Sequence, residues 1–123
     1  MIFVDTNYFL RFLLKDNKDQ FLEAKELFGK GALGEIQLFT SLVVFFEIYW
    51  VLSSFYKKEK SELIKVLTNV LSMGFIKYEN AEILFKAVQF FSQNKLDLED
   101  SYNIIYAKES GAKSFKTFDQ RLN

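Results

Sequence analysis

The run from Ile36 to Tyr56, IQLFTSLVVFFEIYWVLSSFY, holds one charged residue, Glu47, in 21 positions. From Leu42 onward it is apolar almost all round, which predicts a buried helix over Leu42–Tyr56, opened by Ser41 as its cap. An ionised carboxylate inside such a helix is costly unless it is paired, hydrogen-bonded or bound to a metal. No Lys or Arg lies within eight residues of Glu47 on either side. The rest of the chain must therefore wrap this helix and supply Glu47 with a partner, or a membrane must take it. A membrane fits poorly. Gln37, Thr40, Ser41, Ser53 and Ser54 interrupt the run, and a central carboxylate adds about 2.5–3.5 kcal/mol to insertion. Asp5 also breaks the apolar start too early for a secretory signal. A cytoplasmic, soluble protein with no membrane contact is expected.

At 123 residues, half of them hydrophobic and 15 of them Phe, the chain reads as one domain, 1–123, long enough for a real core. Its 16 basic and 16 acidic residues cancel, so no global charge draws it to nucleic acid. There is no Cys and no His, which excludes disulfides, thiolate and imidazole metal sites and the commonest general base. Any catalysis rests on carboxylates, hydroxyls, Lys or Tyr.

Strands are predicted at Ile2–Val4, Ile36–Thr40, Phe75–Tyr78 and, less apolar than the first, Lys113–Thr117. Helices are predicted at Tyr8–Lys15, Gln20–Lys30, Leu42–Tyr56, from Ser61 to a stop at Gly74, at Asn80–Gln93 and at Ser101–Glu109. Gly29, Gly31 and Gly34 are expected to end the second helix, and Gly111 the last. Strands alternating with helices and a helical hairpin imply an α/β fold with a parallel sheet.

The carboxylates follow that topology. The chain has only six Asp. Asp5 follows the first strand, Asp119 follows the fourth, and Asp97 and Asp100 stand at the entrance of a helix. In parallel α/β sheets the carboxyl ends of strands and the starts of the following helices share one edge, where ligands bind. Asp5, Asp100 and Asp119 fall on that edge, and Glu47, near the second turn of its helix, can face it. Converging carboxylates repel, and without a counter-charge some must take a proton. A hard divalent ion, Mg²⁺ or Mn²⁺, suits oxygen-only ligands and leaves room for phosphate. Each residue also has a structural reading. Asp5 can cap a helix, Asp97 and Asp100 can favour a helix dipole, Asp119 can sit in a turn, and Glu47 can pair with a distant Lys.

Taken in order, Ile2-Phe3-Val4-Asp5-Thr6-Asn7, Glu47 in its apolar helix, Leu96-Asp97-Leu98-Glu99-Asp100-Ser101 and Thr117-Phe118-Asp119 span nearly the whole chain. In this pattern the chain resembles the PIN domain, and in size and layout a VapC-type toxin of a toxin–antitoxin pair. The resemblance implies a three-layer α/β/α fold around a parallel sheet of four or five strands. It implies a metal-dependent endoribonuclease with Asp5, Glu47, Asp100 and Asp119 as the acidic quartet. Asp5 would be the central ligand, Glu47 and Asp100 would complete the cage, and Asp119 would hold a second ion or the attacking water. Asn7 and Thr117 would be supporting hydrogen-bonders, and Asp97 auxiliary. A homodimer and a small antitoxin are the implied partners, with RNA as substrate. The chain departs from the family in stopping at Asn123, before the usual final edge strand, and in having Ser101 where Ala is commoner. Arg11 and Lys116 are the preferred phosphate contacts, being nearest in sequence to the acidic edge; Lys15, Lys57, Lys58, Lys60, Lys113 and Arg121 rank below them. The competing reading is a catalytically weak PIN-like scaffold or binding module. A receiver domain fits less well, since Thr6 and Asn7 stand where a second acidic residue is needed.

Overall fold

The computed structural model describes residues 1–122. Three short strands, β1 (Ile2–Phe3), β2 (Leu38–Thr40) and β3 (Ile76–Tyr78), form a parallel sheet in the order β1-β2-β3. Ile2 lies beside Leu38 and Leu38 beside Ile76, while Phe3 lies beside Phe39 and Phe39 beside Lys77. Parallel neighbours need long crossovers, and helices supply them. α1 (Thr6–Leu14) and α2 (Lys18–Ala32) join β1 to β2. α3 (Leu42–Trp50), a π-helical turn (Val51–Phe55) and α4 (Lys60–Leu71) join β2 to β3. α5 (Ala81–Ser92) and α6 (Leu98–Glu109) follow, and a 3-10 turn covers Gln120–Leu122.

The helices start where short polar side chains satisfy their first backbone N–H groups. Asn17 accepts from the Gln20 amide (3.0 Å), Ser41 from Val44 (3.2 Å) and Asp97 from Asp100 (2.8 Å). α2 runs through Gly29 and Gly31 to Ala32 instead of ending at them. Gly31 is needed for a different reason: a Cβ there would lie 2.7 Å from Leu38 Cδ1 and 3.1 Å from Phe75 Cδ2. The missing side chain lets α2 sit directly on the sheet. α6 begins at Leu98, three residues earlier than expected, which puts Asp100 inside its first turn.

Two expectations are corrected. Among the described residues the sheet has three strands, not four or five, and Lys113–Thr117 is irregular. That segment offers only Phe115 as a strongly apolar residue, too little to bury a strand, and Phe115 instead joins Ile104, Ala107 and Leu122 around a surface cleft beside α6. The second correction concerns layers. Side chains alternate across a strand, so Leu38, Thr40, Ile76 and Tyr78 point into the helical core and are buried, whereas Phe3, Phe39 and Lys77 share the opposite face. Phe3 is 47% exposed and packs edge-to-face on Phe39, ring centroids 5.4 Å apart. The described residues therefore cover one face with helices and leave this one open.

The core runs from Val4 and Phe9 through Phe28, Phe45, Ile48, Leu52, Leu67, Leu84 and Leu98 to Tyr102. Tyr78 is buried in it, and its hydroxyl donates to the Val70 carbonyl at the end of α4. Burial pushes the Tyr78 phenol well above the ordinary tyrosine range. The unfolded chain gives up this proton near pH 10 while the fold retains it. Stability from this group is thus complete below about pH 10 and falls as the pH rises further. Replacing Tyr78 with Phe is expected to cost about 1 kcal/mol at pH 7 by removing one buried hydrogen bond from the Val70 carbonyl, which keeps the Met73 amide at 3.2 Å, and to flatten the loss of stability above about pH 10. Urea unfolding of both proteins across that pH range measures each effect.

Candidate active site

Two pairs of expected site residues are each held by a donor between them. The first pair is Asp5 and Glu47. Asp5 follows β1 and opens α1, its Oδ1 accepting from the Thr6 amide at 2.8 Å. Thr6 is buried, and its hydroxyl donates to Glu47 Oε1. One residue thus ties the carboxylate after β1 to the carboxylate on the helix after β2. Thr40, at the end of β2, donates from its hydroxyl to the Val4 carbonyl (2.7 Å), which fixes the two strand ends against each other.

Glu47 is not buried. It is exposed, on the stripe of α3 that also carries Val43 and Trp50, 73% and 58% exposed. Phe55, after the π-helical turn, is 72% exposed. The expected buried helix therefore buries one side, through Val44, Phe45, Ile48, Tyr49 and Leu52, and presents the other to solvent. It also ceases to be α-helical at Trp50, where the wider π turn begins. The cost of burying a lone charge is avoided by keeping Glu47 at the surface with a hydroxyl donor.

The second pair is Asp100 and Asp119, and the donor is Arg121. The Arg121 guanidinium forks onto Asp119, with Nη2 2.6 Å from Oδ2 and Nε 3.1 Å from Oδ1 and 3.2 Å from Oδ2; the Arg121 amide donates to the same Oδ1 at 3.0 Å. Nη2 also reaches Asp100 Oδ2 at 3.4 Å. The two carboxyls respond differently. Hydrogen bonds from Arg121 hold Asp119 below the usual carboxylate range. Asp100 is raised, first by desolvation and then by the charge and hydrogen bonding of Asp97, against the opposing pull of Arg121. The asymmetry follows the distances, since the guanidinium is closer to Asp119.

One member of each pair, Glu47 on α3 and Asp100 on α6, lies on a helix packed against the other. Phe46 on α3 meets Tyr102 on α6 edge-to-face at 5.3 Å, and the Leu98 amide approaches the Tyr49 hydroxyl at 3.5 Å. The Tyr49 phenol is raised mainly by burial, with the charges of Glu99, Asp97 and Asp100 contributing, which places the start of α6 beside α3. Even so, among the described residues no three acidic side chains stand close enough together to hold one metal ion. The donors are all oxygen, which fits a hard divalent ion by chemistry. Their placement is two pairs, not a finished cage.

The remaining expected residues are placed as follows. Asn7 is exposed on α1 and lines a cleft of about 160 Å³ with Tyr8, Arg11, Gln20 and Glu23. Arg11 is ion-paired with Asp16 at 2.9 Å. Thr117 accepts from the Asp119 amide at 3.0 Å. Lys116 is exposed on the C-terminal segment. Asp97 is the cap of α6. Two residues organise the site in roles that the sequence reading does not assign: Thr6 appears there only within the first motif, and Arg121 only as a lower-ranked phosphate contact. Thr6 was readable as a hydroxyl between two site candidates. Arg121 was readable as the only guanidinium within two residues of an expected ligand, yet it stood among ordinary surface cations.

The model of the PIN domain family matches residues 2–123, and the chain belongs to that family. No curated protein and no solved structure matches it. PIN domains are generally nucleases acting on RNA, and they typically bind divalent metals. Among the described residues no helix is long and apolar enough to cross a membrane.

The position of Asp97 separates a structural role from a chemical one. Asp97→Ala is expected to cost about 1 kcal/mol of stability, the worth of an N-cap, and Asp97→Asn much less, because the amide oxygen can still accept. Thermal or urea unfolding of the two variants reads the difference.

Proposed function

We propose that this PIN domain is a divalent-metal-dependent endoribonuclease, using Mg²⁺ or Mn²⁺, and that it is the toxin of a toxin–antitoxin pair. Asp5, Glu47, Asp100 and Asp119 would hold the metal. The observation that carries this reading is the pairing of Asp5 with Glu47 through Thr6, beside the helix that bears Asp100. The donor set contains only oxygens, in a chain without His or Cys. When bound, such an ion lowers the pKa of a coordinated water and neutralises charge on a phosphodiester.

The chain's own residues do the positioning. Thr6 fixes Glu47 by its hydroxyl and Asp5 by its amide, so both carboxylates keep one oxygen defined and one available. Thr117 holds the backbone of Asp119. Asp97 caps the helix that carries Asp100, its side chain accepting from the Asp100 amide. Asn7, exposed on α1 two residues after Asp5, would hydrogen-bond a substrate oxygen. Lys116 would meet phosphate directly, and Arg11 only by exchanging its bond to Asp16 for one to phosphate. A single-stranded or looped RNA is the expected substrate, because an A-form duplex hides its base edges. A homodimer remains the assembly that the family resemblance implies. A small antitoxin remains the implied inhibitor.

The split of the carboxylates into two pairs favours a second reading, a scaffold with little activity. Two measurements separate them. With Mn²⁺, the parent protein is expected to cleave single-stranded RNA, and Asp5→Asn and Glu47→Gln to lower the rate at least about 100-fold. If both variants cleave as fast as the parent, the carboxylate–metal reading is wrong. A scaffold would show no rise in melting temperature on adding Mn²⁺, whereas a metal enzyme would.

A further inference from the structure

Like charges at Asp97, Asp100 and Asp119 need a counter-charge, and the fold supplies one from the chain itself. Arg121 engages both Asp119 oxygens through a fork and touches Asp100 with the same Nη2. The pair on Asp119 is of the bidentate kind, stronger and more directional than a single contact. An ion drawn to Asp119 would need the electron pairs that the guanidinium already uses. An Arg cannot step aside by losing its proton, because it stays charged throughout the working pH range. It can only move. Arg121 is exposed and lies in a single 3-10 turn, Gln120–Leu122, near the end of the described chain, so little packing opposes its movement.

We propose that Arg121 is a built-in competitor for the divalent ion at the Asp100–Asp119 half of the site, offsetting part of its negative charge until an ion displaces the guanidinium. This rests on the reading that these carboxylates bind metal. Two of its consequences concern charge. The site avoids bringing unscreened carboxylates together in the metal-free protein, and metal affinity is set partly by a residue that is not a ligand. The contact also ties residue 121 to the first turn of α6, so an ion that displaces the guanidinium removes one of the links between that helix and the segment around Asp119.

The test is titration of the full chain with Mn²⁺ by calorimetry, for the parent, Arg121→Ala, Arg121→Gln and Arg121→Lys, with Asp5→Asn as a control on the site itself. Melting curves confirm that each variant is folded. Removing the guanidinium is expected to tighten Mn²⁺ binding about three- to tenfold in both the Ala and the Gln variants. Arg121→Lys should fall between them and the parent, since it keeps the charge and loses the fork. If Ala and Gln bind Mn²⁺ no more tightly than the parent, the competition does not exist. If the parent binds Mn²⁺ and Asp5→Asn loses it, the metal site stands whatever Arg121 does. If no protein in the series binds Mn²⁺, the metal reading and the competition fall together.

Discussion

Parallel pairing governs where everything else in this protein can be. A parallel neighbour obliges the chain to travel the length of the sheet before each new strand, and here helices make that journey. Every strand then ends at the same edge, and the next helix begins there. Asp5 and Thr6 are the last step out of β1 and the first into α1; Ser41 does the same between β2 and α3. The Thr40 hydroxyl on the Val4 carbonyl locks the two exits together. Without this shared edge, Thr6 could not reach across to Glu47, and two carboxylates 42 positions apart in sequence would have no common neighbour.

Charge is managed at that edge by two different means. A neutral donor, Thr6, serves Asp5 and Glu47, and it leaves their negative charges in place for a cation. A positive donor, Arg121, serves Asp100 and Asp119, and its single charge offsets part of theirs. The difference is legible in the titration behaviour of the second pair, where Asp119 is held low by the guanidinium and Asp100 is held high by desolvation and by Asp97. PIN domains typically bind divalent metals. In the arrangement seen here, two of the four carboxylates already have a counter-charge.

Much of this was readable from the residues, and the exceptions have physical causes. Caps at Ser41 and Asp5 and the parallel α/β topology follow from local rules that tertiary packing does not overturn. Glu47 was misjudged because an all-apolar helix gives no period from which to tell a buried side from an exposed one; Val43 and Trp50 are as apolar as Phe45 and Ile48, yet they face water. Gly29 and Gly31 looked like stops because glycine disfavours helix, but contact with Leu38 demands a residue without a side chain inside the helix. Lys113–Thr117 had the look of a strand, but a strand needs a partner and a core, and its single Phe finds α6 instead. Arg121 was visible two residues after Asp119, but a cation near a carboxylate in sequence says nothing of whether it folds back upon it.

Trp50 is the only tryptophan in the chain. It stands in solvent, three residues along α3 from Glu47. The molecule therefore carries one indole fluorophore, which can be excited apart from its six tyrosines, on the face next to its candidate chemistry. Whatever comes to lie against that helix, whether protein or RNA, moves the indole from water into a contact and writes its arrival in the emission spectrum of the native, unlabelled chain.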